Sequence, residues 1–164
     1  MRLFISIPLS GEMLAAAQSV QREFLRRGAR GNVAPAENLH LTLAFIGEYP
    51  EPEDVLRAMD GVPFPPVELK LEGLGAFGDL WWLGVARCVP LEGYVKRLRH
   101  ALAEAGIPFD RKRFNPHITL LRRAELPPRA RMDFAVPAAT QRVERAVLMR
   151  SDRGRNGMIY TPIE

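Results

Sequence analysis

The 164-residue chain is poor in the residues that build disulfides and metal sites, with one cysteine and three histidines. A single cysteine excludes an intramolecular disulfide framework, and Cys88 lies in an apolar run that indicates a core or strand position. His100 lies in a helical pattern, which favours an exposed helix residue. No cluster of cysteine, histidine or carboxylate side chains has the spacing of metal ligands. We therefore expect neither a metal nor another cofactor.

Long apolar runs are absent as well. No stretch approaches the roughly 18 to 20 apolar residues that cross a bilayer, and the apolar run after Arg2 is too short for the core of a signal peptide. These absences predict a cytoplasmic protein with no membrane partner. The length suits one domain, or two small lobes that share a core, over residues 1–164.

Lysine is scarce relative to arginine, which carries most of the positive charge behind the net charge of +4. The planar guanidinium group suits phosphate. The basic residues cluster at Arg26, Arg27 and Arg30; at Arg111, Lys112 and Arg113; at Arg122 and Arg123; and at Arg150, Arg153 and Arg155. Two of these clusters flank His117, where a phosphate-binding site would need positive potential. For clusters far from any motif, a solvated surface is the simpler interpretation.

Two of the three histidines occur in one repeated pattern, His40-Leu41-Thr42-Leu43 and His117-Ile118-Thr119-Leu120, each preceded within two residues by asparagine. The histidines lie 77 positions apart (117 minus 40), close to half the chain, which favours a duplicated pair of facing lobes. Side chains alternate along a strand, so each motif places its imidazole and hydroxyl on one face, about 7 Å apart, and its apolar residues on the other.

Two such polar faces, turned toward each other, are suited to phosphoryl transfer without a metal ion. A phosphate between them would meet two imidazoles and two hydroxyls that donate to its non-bridging oxygens. A neutral imidazole can accept a proton from the attacking group, and a protonated one can donate to the departing alkoxide, because the ordinary histidine pKa is about 6.5. One such pattern alone would favour an ordinary strand histidine, whereas its repetition favours function.

Hydrophobic periodicity predicts a mixed order of strands and helices. Strands are predicted at 2–8, 39–47, 67–71, 80–89 and 117–121, and helices from Ser10 to before Gly28, over 50–62 and over 91–105. Near the end, RVERAVLMRSD and MIYTPIE are predicted to be two strands joined by the turn RGRNG.

The chain resembles the two-histidine phosphoesterases, and within them the bacterial and archaeal RNA 2′,3′-cyclic phosphodiesterases, also called 2′-5′ RNA ligases. The similarity extends nearly end to end, through RLFISIPL, ENLHLTLAFIGE, LWWLGV, FNPHITLLR and RGRNGMIYTPI. It implies an α+β fold that is bilobal, a pseudo-twofold pair of antiparallel sheets with helices outside and a central cleft. It also implies that His40 donates a proton to the leaving ribose oxygen, that His117 accepts one from water, and that Thr42 and Thr119 bind phosphate.

Two further residues carry over from the resemblance as substrate ligands. Phe45, five positions after His40, resembles the base-stacking aromatic of the family, and Arg122, five after His117, resembles its phosphate-side arginine. Strict alternation would put both on the opposite strand face from the histidines. Either the strand ends or bulges just after each motif, or both residues face backward. Burying an unpaired arginine would cost free energy, which favours a position in the active site for Arg122. For Phe45, a position in the core is nearly as well supported as one in the active site.

RNA is the expected partner, because a 2′,3′-cyclic phosphate requires a ribose 2′-hydroxyl. Opening by water at the 3′-oxygen leaves a 2′-phosphate end, and an RNA 5′-hydroxyl in place of water would give a 2′-5′ linkage. We expect a monomer without an obligate protein partner, acting on RNA with cyclic phosphate ends, tRNA fragments among them. The alternatives are a phosphodiesterase for a small cyclic nucleotide, a non-catalytic RNA-end binder, or a partner-binding module that uses Trp81 and Trp82. As adjacent strand residues these tryptophans point to opposite faces, which favours one in the core and one near the cleft.

Overall fold

The computed structural model describes residues 1–164 as nine β-strands and three α-helices. In chain order they are β1 (Arg2–Pro8), α1 (Gly11–Arg26), β2 (Arg30–Val33), β3 (His40–Glu48), α2 (Pro52–Asp60), β4 (Val67–Phe77), β5 (Leu80–Val85), α3 (Val89–Glu104), β6 (His117–Glu125), β7 (Thr140–Val143), β8 (Val147–Gly154) and β9 (Gly157–Ile163). None of the helices is both long enough and apolar enough to span a membrane.

The strands form an antiparallel arrangement with two matching halves. Their order is β7-β4-β5-β6-β3-β1-β8-β9, with β2 paired to β6. From the middle of the sheet outward, each half begins with its motif strand, β3 or β6. The neighbouring strand, β1 or β5, comes earlier in the chain and is separated from the motif strand by a long helix, α1 or α3. The halves meet where β3 pairs with β6 through a single residue pair, Leu41 opposite Ile118. The predicted α+β fold, with paired antiparallel halves and outer helices, is confirmed.

Both long helices bury an apolar stripe against the back of the sheet. In α1 the buried residues Met13, Ala17, Val20 and Phe24 recur every three or four positions, as one helix face requires. In α3 the buried residues are Leu91, Tyr94, Val95, Leu98 and Leu102. They join the apolar residues of the motif strands in one core cluster. Fully burying one such side chain stabilises the fold by roughly 1.5–3 kcal/mol, so the helices hold the motif strands in place from behind.

A β-bulge interrupts β3 one residue after Thr42. Pairing with β1 skips Leu43, so that Leu43 and Ala44 are both buried although they are adjacent in the chain. The extra residue restarts the alternation one position later. Phe45 therefore lies on the same face as the motif histidine.

An equivalent bulge interrupts β6 one residue after Thr119. Pairing with β5 skips Leu120, and Leu120 and Leu121 are both buried. Arg122 is exposed on the face of the second histidine, and Arg123 next to it has a left-handed backbone with φ of 52°. The two motif strands thus share one burial pattern through the motif and its bulge, as a duplication predicts.

The structure differs from the predicted elements mainly at strand boundaries. Strand β2 was not predicted, because its four residues are all exposed and carry no alternating pattern. At its centre, a Cβ on Gly31 would lie 2.8 Å from the carbonyl oxygen of Arg122, so only glycine allows the strand to approach β6 this closely. Strands β4 and β6 extend beyond their predicted ends, and the segment RVERAVLMRSD divides between β7 and β8.

Candidate active site

The two motifs meet at the seam between the halves of the sheet. Leu41 and Ile118, the residues that follow the two histidines, are partners in antiparallel pairing. This register sets each histidine across from the threonine of the other motif, with cross-strand Cβ atoms typically about 4.5–5.5 Å apart. The four side chains in this array are His40, Thr42, His117 and Thr119. All four are half-buried, whereas the apolar residues between them face the core.

Both histidines are oriented in the same way, by a backbone carbonyl two residues earlier. The Nδ1 atom of His40 lies 2.7 Å from the carbonyl oxygen of Asn38, and Nδ1 of His117 lies 2.6 Å from that of Asn115. A carbonyl oxygen can only accept, so each Nδ1 carries the hydrogen. Each Nε2 is therefore the atom left for proton transfer. At His40 this atom lies 2.9 Å from Oγ1 of Thr42, whose hydroxyl donates to it.

Aromatic side chains enclose His40. Its ring centroid lies 5.0 Å from that of Phe4 and 5.4 Å from that of Tyr160, which is nearly perpendicular to it. Burial lowers the pKa of His40 from its ordinary value, and the nearby positive charge of Arg122 lowers it further, against the opposing effect of the backbone hydrogen bond. The free protein therefore favours a neutral His40 at neutral pH.

His117 has its own aromatic neighbours. Its ring lies 5.5 Å from Phe77, nearly perpendicular, and 6.1 Å from Trp82. Trp81, the next residue in the chain, packs in the opposite direction against Phe24 of α1, with ring centroids 5.2 Å apart. The two tryptophans thus lie on opposite faces, as their adjacency predicts.

Two adjoining cavities, together called the cleft, open on this face of the sheet. The first has a volume of about 570 Å³ and includes His40, Thr119 and Arg122 in its lining. The second, of about 530 Å³, includes His40, Thr42, Phe45 and Arg122. Five of the six predicted site residues therefore line the cleft. The sixth, His117, lines neither cavity; the strand register sets it opposite Thr42.

The bulges resolve the alternative that alternation left open for the two substrate-binding candidates. Phe45 is half-buried and faces the second cavity, not the core. The guanidinium carbon of Arg2 lies 4.9 Å from the centroid of its ring. Arg122 is exposed and lines both cavities, so its charge needs no buried partner.

Several residues of the cleft were not singled out from the sequence. Tyr160 and Met158, on β9, line both cavities. The amide Nδ2 of Asn38 donates to the carbonyl oxygen of Met158 at 2.8 Å, which ties the β8–β9 hairpin to the first motif. The only signal was the closing segment RGRNGMIYTPI, whose similarity to the family named no individual residue.

Outside the cleft, His100 is the exposed helix residue that the sequence predicts, whereas Cys88, predicted in the core or in the strand 80–89, lies outside any strand because β5 ends at Val85. His100 lies on α3 with 76% of its side chain exposed, 3.8 Å from Glu104. Cys88 is half-buried immediately before α3. No group of three or more histidine, cysteine, aspartate or glutamate side chains is positioned to hold a metal ion.

Comparison with known proteins identifies the family. The family model described as the 2′-5′ RNA ligase superfamily matches residues 12–155. A Thermotoga maritima protein named RNA 2′,3′-cyclic phosphodiesterase is 33% identical, over 73% of this chain and 68% of its own. An Escherichia coli protein of the same name is 34% identical, over 82% and 78%. The crystal structure of E. coli LigT in apo form superimposes with a TM-score of 0.81 and 27% identity, over 99% of this chain and 94% of that one. The chain belongs to the 2′-5′ RNA ligase superfamily.

Proposed function

We propose that the chain is an RNA 2′,3′-cyclic phosphodiesterase that opens cyclic ends to 2′-phosphate ends by acid-base catalysis between two histidines, without a metal ion. The observation that carries the proposal is the crossed array at the seam, in which each histidine lies across from the threonine of the other motif. Both Nδ1 atoms are bound to backbone carbonyls, so both Nε2 atoms remain for proton transfer. The names of the relatives support the substrate class.

The reaction needs one base and one acid on opposite sides of phosphorus. Nε2 of His117 accepts a proton from water, whose oxygen forms a bond to phosphorus. The bond from phosphorus to the 3′-oxygen breaks, and that oxygen takes a proton from Nε2 of His40. The hydroxyls of Thr42 and Thr119 donate to the non-bridging oxygens, where negative charge increases in the transition state.

The acid must gain its proton with the substrate, because burial lowers the pKa of His40 in the free protein. A phosphate anion beside the ring favours the charged imidazole and opposes that shift. Once Nε2 of His40 carries a proton, it no longer accepts from Thr42, whose hydroxyl becomes free to donate to phosphate. Binding of the anion and formation of the acid are thus coupled in one hydrogen-bond exchange.

The remaining cleft residues bind the terminal nucleotide. Arg122 lines both cavities and offers a guanidinium group to the phosphate. Phe45 offers an aromatic ring for stacking of the base, a contact worth about 1–3 kcal/mol in single-strand recognition. The same site runs in the ligase direction when an RNA 5′-hydroxyl replaces water, which gives a 2′-5′ linkage.

The test is an assay with purified protein, excess EDTA and an RNA oligonucleotide that ends in a 2′,3′-cyclic phosphate. We expect full conversion to a 2′-phosphate end, identified by mass and by phosphatase treatment. A preparation of the His40→Ala, His117→Ala double variant controls for contaminating nucleases. Activity that returned only with added divalent ion would contradict the two-histidine mechanism, and a 3′-phosphate product would contradict the proposed direction of ring opening.

A further inference from the structure

A larger concavity adjoins the strand and the segment that hold His117. We call it the α3 groove; its volume is about 1380 Å³. It is lined by Trp82, Gly84 and Val85 of β5, by one flank of α3, and by the segment 113–116 that leads into β6. Gly84 is the backbone partner of His117, and the carbonyl oxygen of Asn115 holds the Nδ1 atom of His117. The α3 groove is therefore lined by two residues in direct contact with His117, although His117 itself does not line it.

The charge of the α3 groove is predominantly positive. Its lining contains four cations, Arg87, Lys96, Arg99 and Arg113, and one carboxylate, Glu92. Glu92 is already paired with Arg87, at 3.2 Å. Lys96 and Arg113 are exposed and belong to no ion pair within the chain. Two cations are thus available to an anionic ligand.

Arg99 adds a positive charge that is fixed in position. Its guanidinium group donates to the carbonyl oxygens of Lys112, at 2.6 Å, and of Leu43, at 3.3 Å. Nε of Arg99 and Nε1 of Trp82 are buried and have no acceptor in the protein, so they belong to the walls and not to the open surface of the α3 groove. A ligand with many negative charges, such as a phosphate backbone, matches the charge of the lining.

The volume argues for a polymer segment in place of a small molecule. Small-molecule pockets usually measure about 300–1,000 Å³ and are mostly apolar. The α3 groove exceeds that range. Its size and its unpaired cations are those of a backbone-binding channel for a single strand.

The position beside His117 determines which strand fits. In the proposed function, on which this inference rests, His117 accepts the proton of the attacking group, so the rest of an attacking molecule must extend away from the site on the His117 side. We propose that the α3 groove binds the RNA strand whose 5′-hydroxyl replaces water, with Lys96 and Arg113 on its backbone phosphates. The 5′-oxygen bonds to phosphorus as its proton passes to His117, and the 3′-oxygen leaves with a proton from His40.

The test measures binding of a single-stranded RNA with a 5′-hydroxyl and with a 3′-end that carries a fluorophore and no cyclic phosphate. The cleft is occupied by saturating 2′-AMP, and anisotropy is recorded over a series of salt concentrations. For the Lys96→Glu, Arg113→Glu variant we expect at least a roughly tenfold loss of affinity. The slope of log affinity against log salt should become shallower by about 1.4, since each phosphate contact to a single strand contributes about 0.7.

A matched control is the Lys70→Glu, Arg145→Glu variant, which makes the same charge change at exposed residues that line neither the cleft nor the α3 groove. It should bind within about twofold of the parent protein, since a distant charge is largely screened at physiological salt. Hydrolysis of a 2′,3′-cyclic mononucleotide should be unchanged in both variants, which shows that each is folded.

The outcomes separate this inference from the proposed function. If the parent protein fails to open a cyclic-phosphate end, the proposed function is wrong. If it opens the end, but the groove variant binds the 5′-hydroxyl strand like the control, or the parent does not bind that strand, the assignment of the α3 groove is overturned. A groove variant that lost affinity only for a strand with a cyclic-phosphate end would also overturn it. If the Lys96→Glu, Arg113→Glu variant loses mononucleotide hydrolysis, the single variant Lys96→Gln replaces it in the test. The slope of log affinity against log salt should then change by about half as much.

Discussion

Replacing Asn38 by alanine removes one contact that holds the β8–β9 hairpin over the cleft. The side-chain amide donates to the carbonyl oxygen of Met158 at 2.8 Å, whereas the backbone carbonyl that orients His40 is kept in the variant. A neutral hydrogen bond contributes about 0.5–1.5 kcal/mol net, and an acceptor left without a donor adds to the loss. We expect the free energy of unfolding to fall by about 1 kcal/mol, which lowers the melting temperature by about 2–4 °C in a protein of this size.

The same change should weaken substrate binding more than chemistry. The hairpin carries Met158 and Tyr160, which line both cavities. If the displaced hairpin weakens the free energy of RNA binding by about 1 kcal/mol, KM for RNA rises roughly fivefold. The value of kcat should change less, since the hydrogen bond to Nδ1 of His40 does not involve the deleted amide. Thermal unfolding and steady-state kinetics on a cyclic-phosphate oligonucleotide measure the two effects.

The duplicated architecture supplies the control. Asn115 holds the same position relative to His117, and its carbonyl makes the equivalent bond to Nδ1, but its side-chain amide makes no hydrogen bond within the protein. Asn115→Ala should therefore leave the melting temperature unchanged. If both variants lose the same stability, or if Asn38→Ala loses none, the hairpin is not held by the Asn38 amide.

Further predictions concern proton transfer and stability. His40→Ala and His117→Ala should each lower turnover by roughly 10² to 10⁴; a cyclic phosphate with a phenolate leaving group should restore only His40→Ala, and rescue of the other variant would reverse the two roles. Arg122→Gln should raise the pKa of His40, measured by NMR, since Arg122 is one cause of its depression; an unchanged pKa would contradict that coupling. Because the pKa of His40 lies below its unfolded value of about 6.5, the unfolded state binds more protons between the two values, so stability falls as pH falls through that window; urea titrations at pH 7 and pH 5 should show a smaller loss in His40→Gln. Ser6→Ala should raise the free energy of unfolding by about 1 kcal/mol, because the buried Oγ of Ser6 has no partner; a lower value in urea titration would mean that the hydroxyl is satisfied in solution.

The faces of the motif strands were predictable because they depend on local alternation. His40 and Thr42 share the cleft face, as period-two alternation requires, and the apolar residues between them enter the core. A bulge after the motif was one of two arrangements compatible with the sequence. Its signal is the adjacent apolar pair Leu43 and Ala44, where strict alternation would require a polar residue. The equivalent pair in β6 repeats that signal. Together, the adjacent apolar pairs in β3 and β6 predict a bulge in each strand and therefore a position for Phe45 in the cleft.

Contacts between distant segments were not predictable from one sequence. The amide of Asn38 and its acceptor on Met158 are 120 positions apart, and nothing in either neighbourhood indicates the other. Strand β2 forms only because Gly31 allows close approach to β6, which no propensity of its four exposed residues encodes. The depressed pKa of His40 has the same origin, since it follows from burial that only the folded chain creates.

Because the motif and its bulge are repeated in both halves, the two histidines differ only in the residues around them. Each half of the chain supplies one imidazole and one hydroxyl, so a half-length chain would need a second copy to complete the array. In such a symmetric pair the two histidines would be identical, and neither could be built as the acid. Because both halves belong to one chain with different residues around each motif, the histidines have separate neighbours, Phe4 and Tyr160 for His40 and Phe77 and Trp82 for His117. A substitution at one of these neighbours changes the surroundings of one imidazole and leaves those of the other unchanged.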